Sequence, residues 1–268
     1  MRATTAERLS VVLVETLCPL YSQSANRFFA VPIPPAPCTE RCSGASFLRN
    51  LRKKIMEADR YLDEAEARQL YADGDSAHDF DHVLRVTHLA TYIASREGGD
   101  VTVVRLAALL HDVSISGAGR RAHHLAAADF AGELLHSRGL GTKRTASVVH
   151  CIEAHRFRNR TVQPATLEAQ CLYDADKLDS IGAIGVARVF AYAGAHNSRL
   201  WTESWRAVPP IEQKPAGAEY TPVHEYVYKL QRILATLHTA TARTLGERRH
   251  TFMATFFDQL DAEMRGLA

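Results

Sequence analysis

From residue 47 onward, apolar residues recur at intervals of three and four, the period of a helix with one buried face. Leu48, Leu51, Ile55, Ala58 and Leu62 trace such a stripe through residues 47–72, and Val83, Val86, Leu89, Ala90 and Ile93 trace another through 79–96. Asp100 is placed as the N-cap of a third helix, 101–111, whose apolar residues run almost without interruption until "ISGAGRR" breaks them. Further helices are expected over 123–138, stopping at Gly139, and over 143–156. Pro164 suits the first position of the next, which reads through "ATLEAQCLYDADKLDSIGAIGVARVFAYA", with Gly182 and Gly185 weakening its middle. Residues 195–222 hold four prolines and both tryptophans and read as a long loop; 223–264 is helical again. No strand pattern and no repeat is present, so the expected fold class is all-α.

The first 45 residues differ. A short apolar centre interrupted by Glu15 is followed by "VPIPPAPC", too rich in proline for a helix. An unstructured extension outside the domain, adding nothing to catalysis, is the expectation. Arg2, Arg8 and Arg27 outnumber Glu7 and Glu15, so an organellar targeting segment is the alternative; a secretory signal does not fit.

Composition narrows the class without naming it. The chain has 268 residues, 46% hydrophobic and 23% charged, with a formal charge of +2. That is enough chain to bury a core without covalent staples, and too little charge to imply a nucleic-acid partner. No run of 18 apolar residues suggests a membrane span. The five cysteines are odd in number and scattered, which fits free thiols and a cytoplasmic setting better than a disulfide framework. Cys38 and Cys42 form a lone C-x3-C, a weak zinc signal.

Histidines are numerous, 13 in all, and crowd between positions 78 and 155. His78 and His82 share a helix face, with Arg85 one turn on. His111 and Asp112 end the apolar helix; His123, His124, His150, Glu153 and His155 follow, then Asp174, Asp176 and Asp179. Each alone has an ordinary explanation: a core histidine satisfied by a carbonyl, or a solvated carboxylate, as for Asp174. The adjacent pair is harder to explain away. Neighbours on a helix point about 100° apart and reach one ion only near a helix end, and an ionised aspartate there is costly unless paired or metal-bound. The apolar run anchors the helix, and its end delivers two ligands.

The order H…HD…D on separate helices resembles the HD-domain metal-dependent phosphohydrolases. The likeness extends to a subgroup of small stand-alone members through "HDFDHVLRV" (78–86), "AALLHDVS" (107–114), "DADKLDSIGAIGVAR" (174–188), "HEYVYKL" (224–230) and "ERRHTFM" (247–253). It covers about residues 46–264.

The resemblance implies a single helical bundle with a metal site at its centre. By position it assigns the metal to His82, His111, Asp112 and Asp176. Two imidazoles and two carboxylates suit one divalent ion such as Mn²⁺, Ni²⁺, Co²⁺, Fe²⁺ or Mg²⁺. It implies catalytic roles for Asp179, His155 and Lys177, and places Arg85, His124, Arg188, His224 and Lys229 near the substrate. His124 and His155 also fall where binuclear relatives carry extra ligands; one metal is the expectation. The implied activity is hydrolysis of a phosphoester or pyrophosphate bond in a small nucleotide, with no nucleic-acid or membrane partner and a homodimer left open. The alternative class is a sensor or interaction module that binds a nucleotide without turnover. The loop 195–222 is expected to be either a lid, with Trp201 and Trp205 stacking on a base, or a connection in which they pack on the core.

Overall fold

The computed structural model describes residues 44–71, 80–113, 123–156 and 162–267. The proposed extension, with Cys18, Cys38 and Cys42, lies almost wholly outside them. The chain divides into two units at Lys54/Ile55, within the first described helix. Among the described residues there are ten α-helices, a few 3-10 turns and no strand, as the sequence pattern implied. No single helix among them is long and apolar enough to cross a membrane.

Helix α1 spans Gly44–Ala58 and α2 spans Glu64–Gln69. The sequence pattern joins these as one element; the break has a local cause. Asp63 accepts from the Glu66 backbone and Glu66 answers on the Asp63 amide, a capping box that starts a new helix. Helix α3 follows at Phe80–Glu97 and α4 at Val101–Leu110. All ten residues of α4 are buried. Asp100 caps it as expected, accepting from the amides of Thr102 and Val103. Arg105 is tolerated inside because Asp59 and Glu64 accept from its guanidinium at 2.9 and 3.0 Å. Helices α5 (His123–Ser137), α6 (Thr142–Ala154) and α7 (Leu167–Leu178) complete the surround. Helices α3, α6 and α7 each pack on α4, so the end of α4 emerges among its three neighbours.

Three boundaries differ from the sequence pattern. Pro164 does not open α7: Thr166 does, its hydroxyl accepting from the Ala169 amide. The long helix expected through Ala193 is two helices, α7 and α8 (Gly182–Ala195), bent by 56°. Gly182 adopts φ +79°, which ordinary side chains resist. Gly185 lets α8 turn back: a Cβ there would lie 2.4 Å from the Ser180 carbonyl oxygen. The C-terminal stretch is likewise divided, into α9 (Pro222–Tyr228), two 3-10 turns and α10 (Ala240–Met264). Asp174 fixes that last start. Buried inside α7, it accepts from the amides of His238 and Thr239 and the Thr239 hydroxyl at 2.9, 2.7 and 2.8 Å. It is not the solvated charge that the sequence suggests.

The bend yields a prediction. Gly185→Ala should cost about 1–3 kcal/mol, the usual penalty of overpacking, and lower the melting temperature. Gly194→Ala, whose Cβ would meet nothing within 4 Å, should not. Equal melting temperatures for the two variants would show that the bend does not depend on Gly185.

The 195–222 loop is tied to α10. The indole N–H of Trp201 donates to Asp261 and that of Trp205 to Asp258, both at 2.8 Å. The Trp205 ring also packs edge-on against Tyr226. Both tryptophans therefore pack on the protein, as one of the two sequence readings held.

Candidate functional site

Four side chains from three helices converge at the end of α4. His111 is the C-cap of that helix, so its ring leaves the apolar run and Asp112 follows it around the end. His82 comes from the first turns of α3 and Asp176 from the last turn of α7. One ligand atom each from His82, His111 and Asp176 lie within 4.8 Å of one another. Asp112 joins them, its Oδ2 lying 3.6 Å from His111 Nε2 and 3.9 Å from His82 Nε2. Bonds of about 2.1 Å to one ion would put neighbouring ligand atoms roughly 3–4 Å apart, so this spacing suits one cation after modest closure of the group.

The hydrogen bonds behind these residues aim their lone pairs. His111 is fully buried, and its Nδ1–H donates to the Ala108 carbonyl at 2.7 Å. Its Nε2 is then a bare acceptor, buried and without a hydrogen-bond partner. Such an orphan is costly inside a protein, and a metal ion is the partner that would satisfy it. His82 Nδ1–H donates to Asp179 Oδ2 at 2.7 Å, which turns Nε2 toward Asp176 Oδ1 at 3.5 Å. Burial alone would push the His82 imidazole down, but the Asp176 and Asp179 carboxylates outweigh it and raise it to about 9. A field that favours a proton on Nε2 equally favours a cation in its place. Burial would push the Asp176 carboxyl up. Lys177 at 2.6 Å and His82 overcome that and hold it well below the usual carboxylate range. The donor set therefore fits a divalent cation.

Asp179 stands behind His82 rather than in front of it. It is 2% exposed and also accepts from Arg85 Nε at 2.7 Å, Arg85 Nη2 at 3.0 Å and Arg188 Nη1 at 3.1 Å. The C-cap of α7 thus fixes the α3 histidine, and the following bend brings Arg188 back to the same carboxylate. Lys177 sits between Asp176 and the Tyr173 ring, 5.3 Å from its centroid.

His155 caps α6 as His111 caps α4. Its Nδ1–H donates to the Ile152 carbonyl at 2.6 Å, so Nε2 faces Asp112 Oδ1 at 3.5 Å. The rings of His111 and His155 meet edge-to-face at 5.2 Å. His124 is buried in α5, with Arg156 Nη1 3.4 Å from its Nδ1. That guanidinium would repel a second cation beside His124. Sequence reasoning passed over Arg156 because it lies in none of the matched phrases. His78 and the side chain of His123 lie outside the described residues.

Two cavities flank this region, and neither is lined by the four converging residues. One, of about 480 Å³, is walled by Ser180, Arg188, Tyr192, Tyr220, Glu225 and Lys229, among others. It adjoins the site through Arg188, which reaches Asp179. So Arg188 and Lys229 share a cleft, whereas Arg85 spends Nε and Nη2 on Asp179. His224 does not reach that cleft. It is 1% exposed, its Nδ1 accepts from the Thr221 amide at 3.1 Å, and its Nε2 meets Glu203 at 2.9 Å. At the third position of α9 it completes a capping box with Thr221, a structural duty that the phrase "HEYVYKL" does not reveal.

The HD domain family model matches residues 79–181, the span from the start of α3 to the bend after α7. The uncharacterized protein YpgQ of Bacillus subtilis (strain 168) is 34% identical over 206 residues, covering 75% of this chain and 91% of that protein. The chain belongs to the HD-domain family. Solved structures agree with this. The crystal structure of Bacillus subtilis YpgQ in complex with ADP superposes with a TM-score of 0.60 at 28% identity, over 80% of this chain and 98% of that one. An HD-superfamily hydrolase from Bacillus thuringiensis superposes with a TM-score of 0.58 at 25% identity, over 82% and 98%. The all-helical HD fold is thus common ground between sequence pattern, structure and relatives, and the structure places a potential metal-ligand group at the end of α4.

Proposed function

We propose that this HD-domain protein is a metal-dependent phosphohydrolase acting on a small nucleotide. The observation that carries the reading is the buried, partnerless His111 Nε2, aimed among His82, Asp112 and Asp176 with the Lys177 ammonium alongside. These four residues would hold one divalent ion: Mn²⁺, Ni²⁺, Co²⁺, Fe²⁺ or Mg²⁺ suits two imidazoles and two carboxylates. When bound, such an ion supplies Lewis acidity toward a phosphoryl oxygen and makes water more acidic.

The chain's own residues supply the rest. Lys177 brings a cation to the side of Asp176, where it can offset the negative charge that grows on the phosphoryl oxygens in the transition state. His155 has its Nδ1 committed to a carbonyl, so Nε2 is the atom that exchanges a proton with the reacting group. Asp179 holds the His82 tautomer and orientation, and Arg85 and Arg188 hold Asp179. The 480 Å³ cleft, with Tyr192 and Tyr220 in its wall beside Arg188 and Lys229, has room and aromatic surface for a nucleoside. The crystallisation of YpgQ with ADP supports a nucleotide ligand.

The test is release of phosphate or pyrophosphate from a panel of nucleotides with Mn²⁺ added. Release that a chelator abolishes is the expected result. Nucleotide binding with no release from any member, in protein shown to contain metal, would overturn the enzyme reading in favour of a nucleotide-sensing module.

A further inference from the structure

We infer that the second cavity, between the end of α6 and the turn preceding α10, is an anion subsite for phosphate groups remote from the scissile bond. Its volume is about 320 Å³ and its wall includes Arg156, Gln163, Tyr173, His238 and Arg243. Two guanidiniums and an imidazole line it, and among the described residues no aspartate or glutamate does. Asp174, the acid beneath this turn, is directed inward onto the backbone amides of His238 and Thr239. Arg243 is held by its Nε, which donates to the Leu237 carbonyl at 3.0 Å, and among the described residues no carboxylate pairs with it. A planar guanidinium anchored in this way offers its remaining N–H groups to phosphate oxygens in a fixed geometry.

The cavity adjoins the metal-ligand group on two sides. Arg156 directly follows His155 and lies 3.4 Å from His124. Tyr173, packed against the edge of His238 at 5.1 Å, carries Lys177 over its ring, and Lys177 touches Asp176. A ligand with one phosphoryl group beside Asp176 can therefore extend further phosphates past Tyr173 to Arg243 and Arg156. The larger cleft shares none of these lining residues; it adjoins the site through Arg188, which reaches Asp179, and contains Glu225 and two tyrosines, a wall suited to a nucleoside. The two ends of a substrate are thus sorted by chemistry. Resting on the proposed phosphohydrolase reading, this makes the preferred class nucleotides that carry phosphates beyond the one attacked.

Binding can be tested apart from turnover. Inorganic tripolyphosphate is titrated calorimetrically into the full chain in excess EDTA, at low and at physiological salt. Binding should occur without metal and weaken as salt rises. It should fall roughly tenfold in Arg243→Gln, the loss of about one charge-assisted contact, and less in Arg243→Lys. Arg243 is exposed, and matching melting temperatures would confirm that these variants fold; Arg156→Gln provides an independent second lesion. With metal restored, Arg243→Gln should raise KM for a nucleoside oligophosphate and leave that for a monophosphate unchanged. Binding of tripolyphosphate only when metal is present, or binding indifferent to both arginines, would overturn the subsite. Arginine-dependent binding in a protein that hydrolyses no nucleotide would sustain the subsite and remove the phosphohydrolase reading.

Discussion

His111→Ala and Asp112→Ala should each remove the divalent ion and abolish turnover. His111 supplies a bare nitrogen acceptor on a fully buried imidazole at the end of α4, and Asp112 reaches toward both histidines of the group. Losing one of four ligands lowers affinity steeply. Losing the ion forfeits the several kcal/mol that a Lewis acid contributes, a rate loss of about 10³-fold or more. Elemental analysis should move from about one ion per chain to near none. Because His111→Ala also opens space beside the apolar core, Asp176→Asn is the companion variant: it alters a partly exposed side chain and changes little volume. Circular dichroism separates loss of metal from loss of fold. Full metal retention in folded His111→Ala and Asp112→Ala protein would refute the ligand assignment.

Much of this site was legible in the sequence because its parts sit where helices end. An apolar run that stops in His-Asp announces the buried helix and where it ends, and α4 with its Asp100 cap bears that out; the pair at its tip meets His82 and Asp176 in the folded chain. The periodicity of α3 places His82, Val83 and Val86 on buried positions, so the histidine arrives with its helix. What stayed hidden depends on contacts between distant segments. The bend after α7 is set by a left-handed glycine and by Asp179 reaching α3, and neither alters helical periodicity. Asp174 looks like a solvated acid until the turn at 238–239 folds over it. The phrase that places His224 near the substrate does not reveal that its position at the start of α9 also makes it part of a capping box. Arg156 and Arg243 belong to no phrase, and only the folded chain brings them to one cavity.

Asp179→Asn should separate positioning from chemistry. The substitution keeps the shape of the side chain but removes the charge that gathers His82, Arg85 and Arg188. Burial would push the Asp179 carboxyl up; the His82 and Arg85 contacts outweigh it and hold it below its ordinary value, so the native interaction is with the carboxylate. An asparagine offers one acceptor oxygen where Asp179 offers two, so at least one donor loses its partner. The stability cost should be about 1–3 kcal/mol, tempered because the Arg85 and Arg188 side chains are 37% and 43% exposed and water can replace part of what they lose. The larger effect is on the metal. With its tautomer and orientation no longer fixed, His82 should bind less well, and metal affinity should fall roughly 10–100-fold, the usual result of removing the partner behind a ligating histidine. Turnover at low metal should fall with it and recover as metal is raised to saturation, because Lys177 and His155 remain in place. If Asp179 instead moved protons in the reaction, saturating metal would not restore kcat, and the pH–rate profile would lose one limb. A chelator competition series and a rate titration with Mn²⁺ distinguish these outcomes. Unchanged metal affinity would show that His82 is oriented without Asp179.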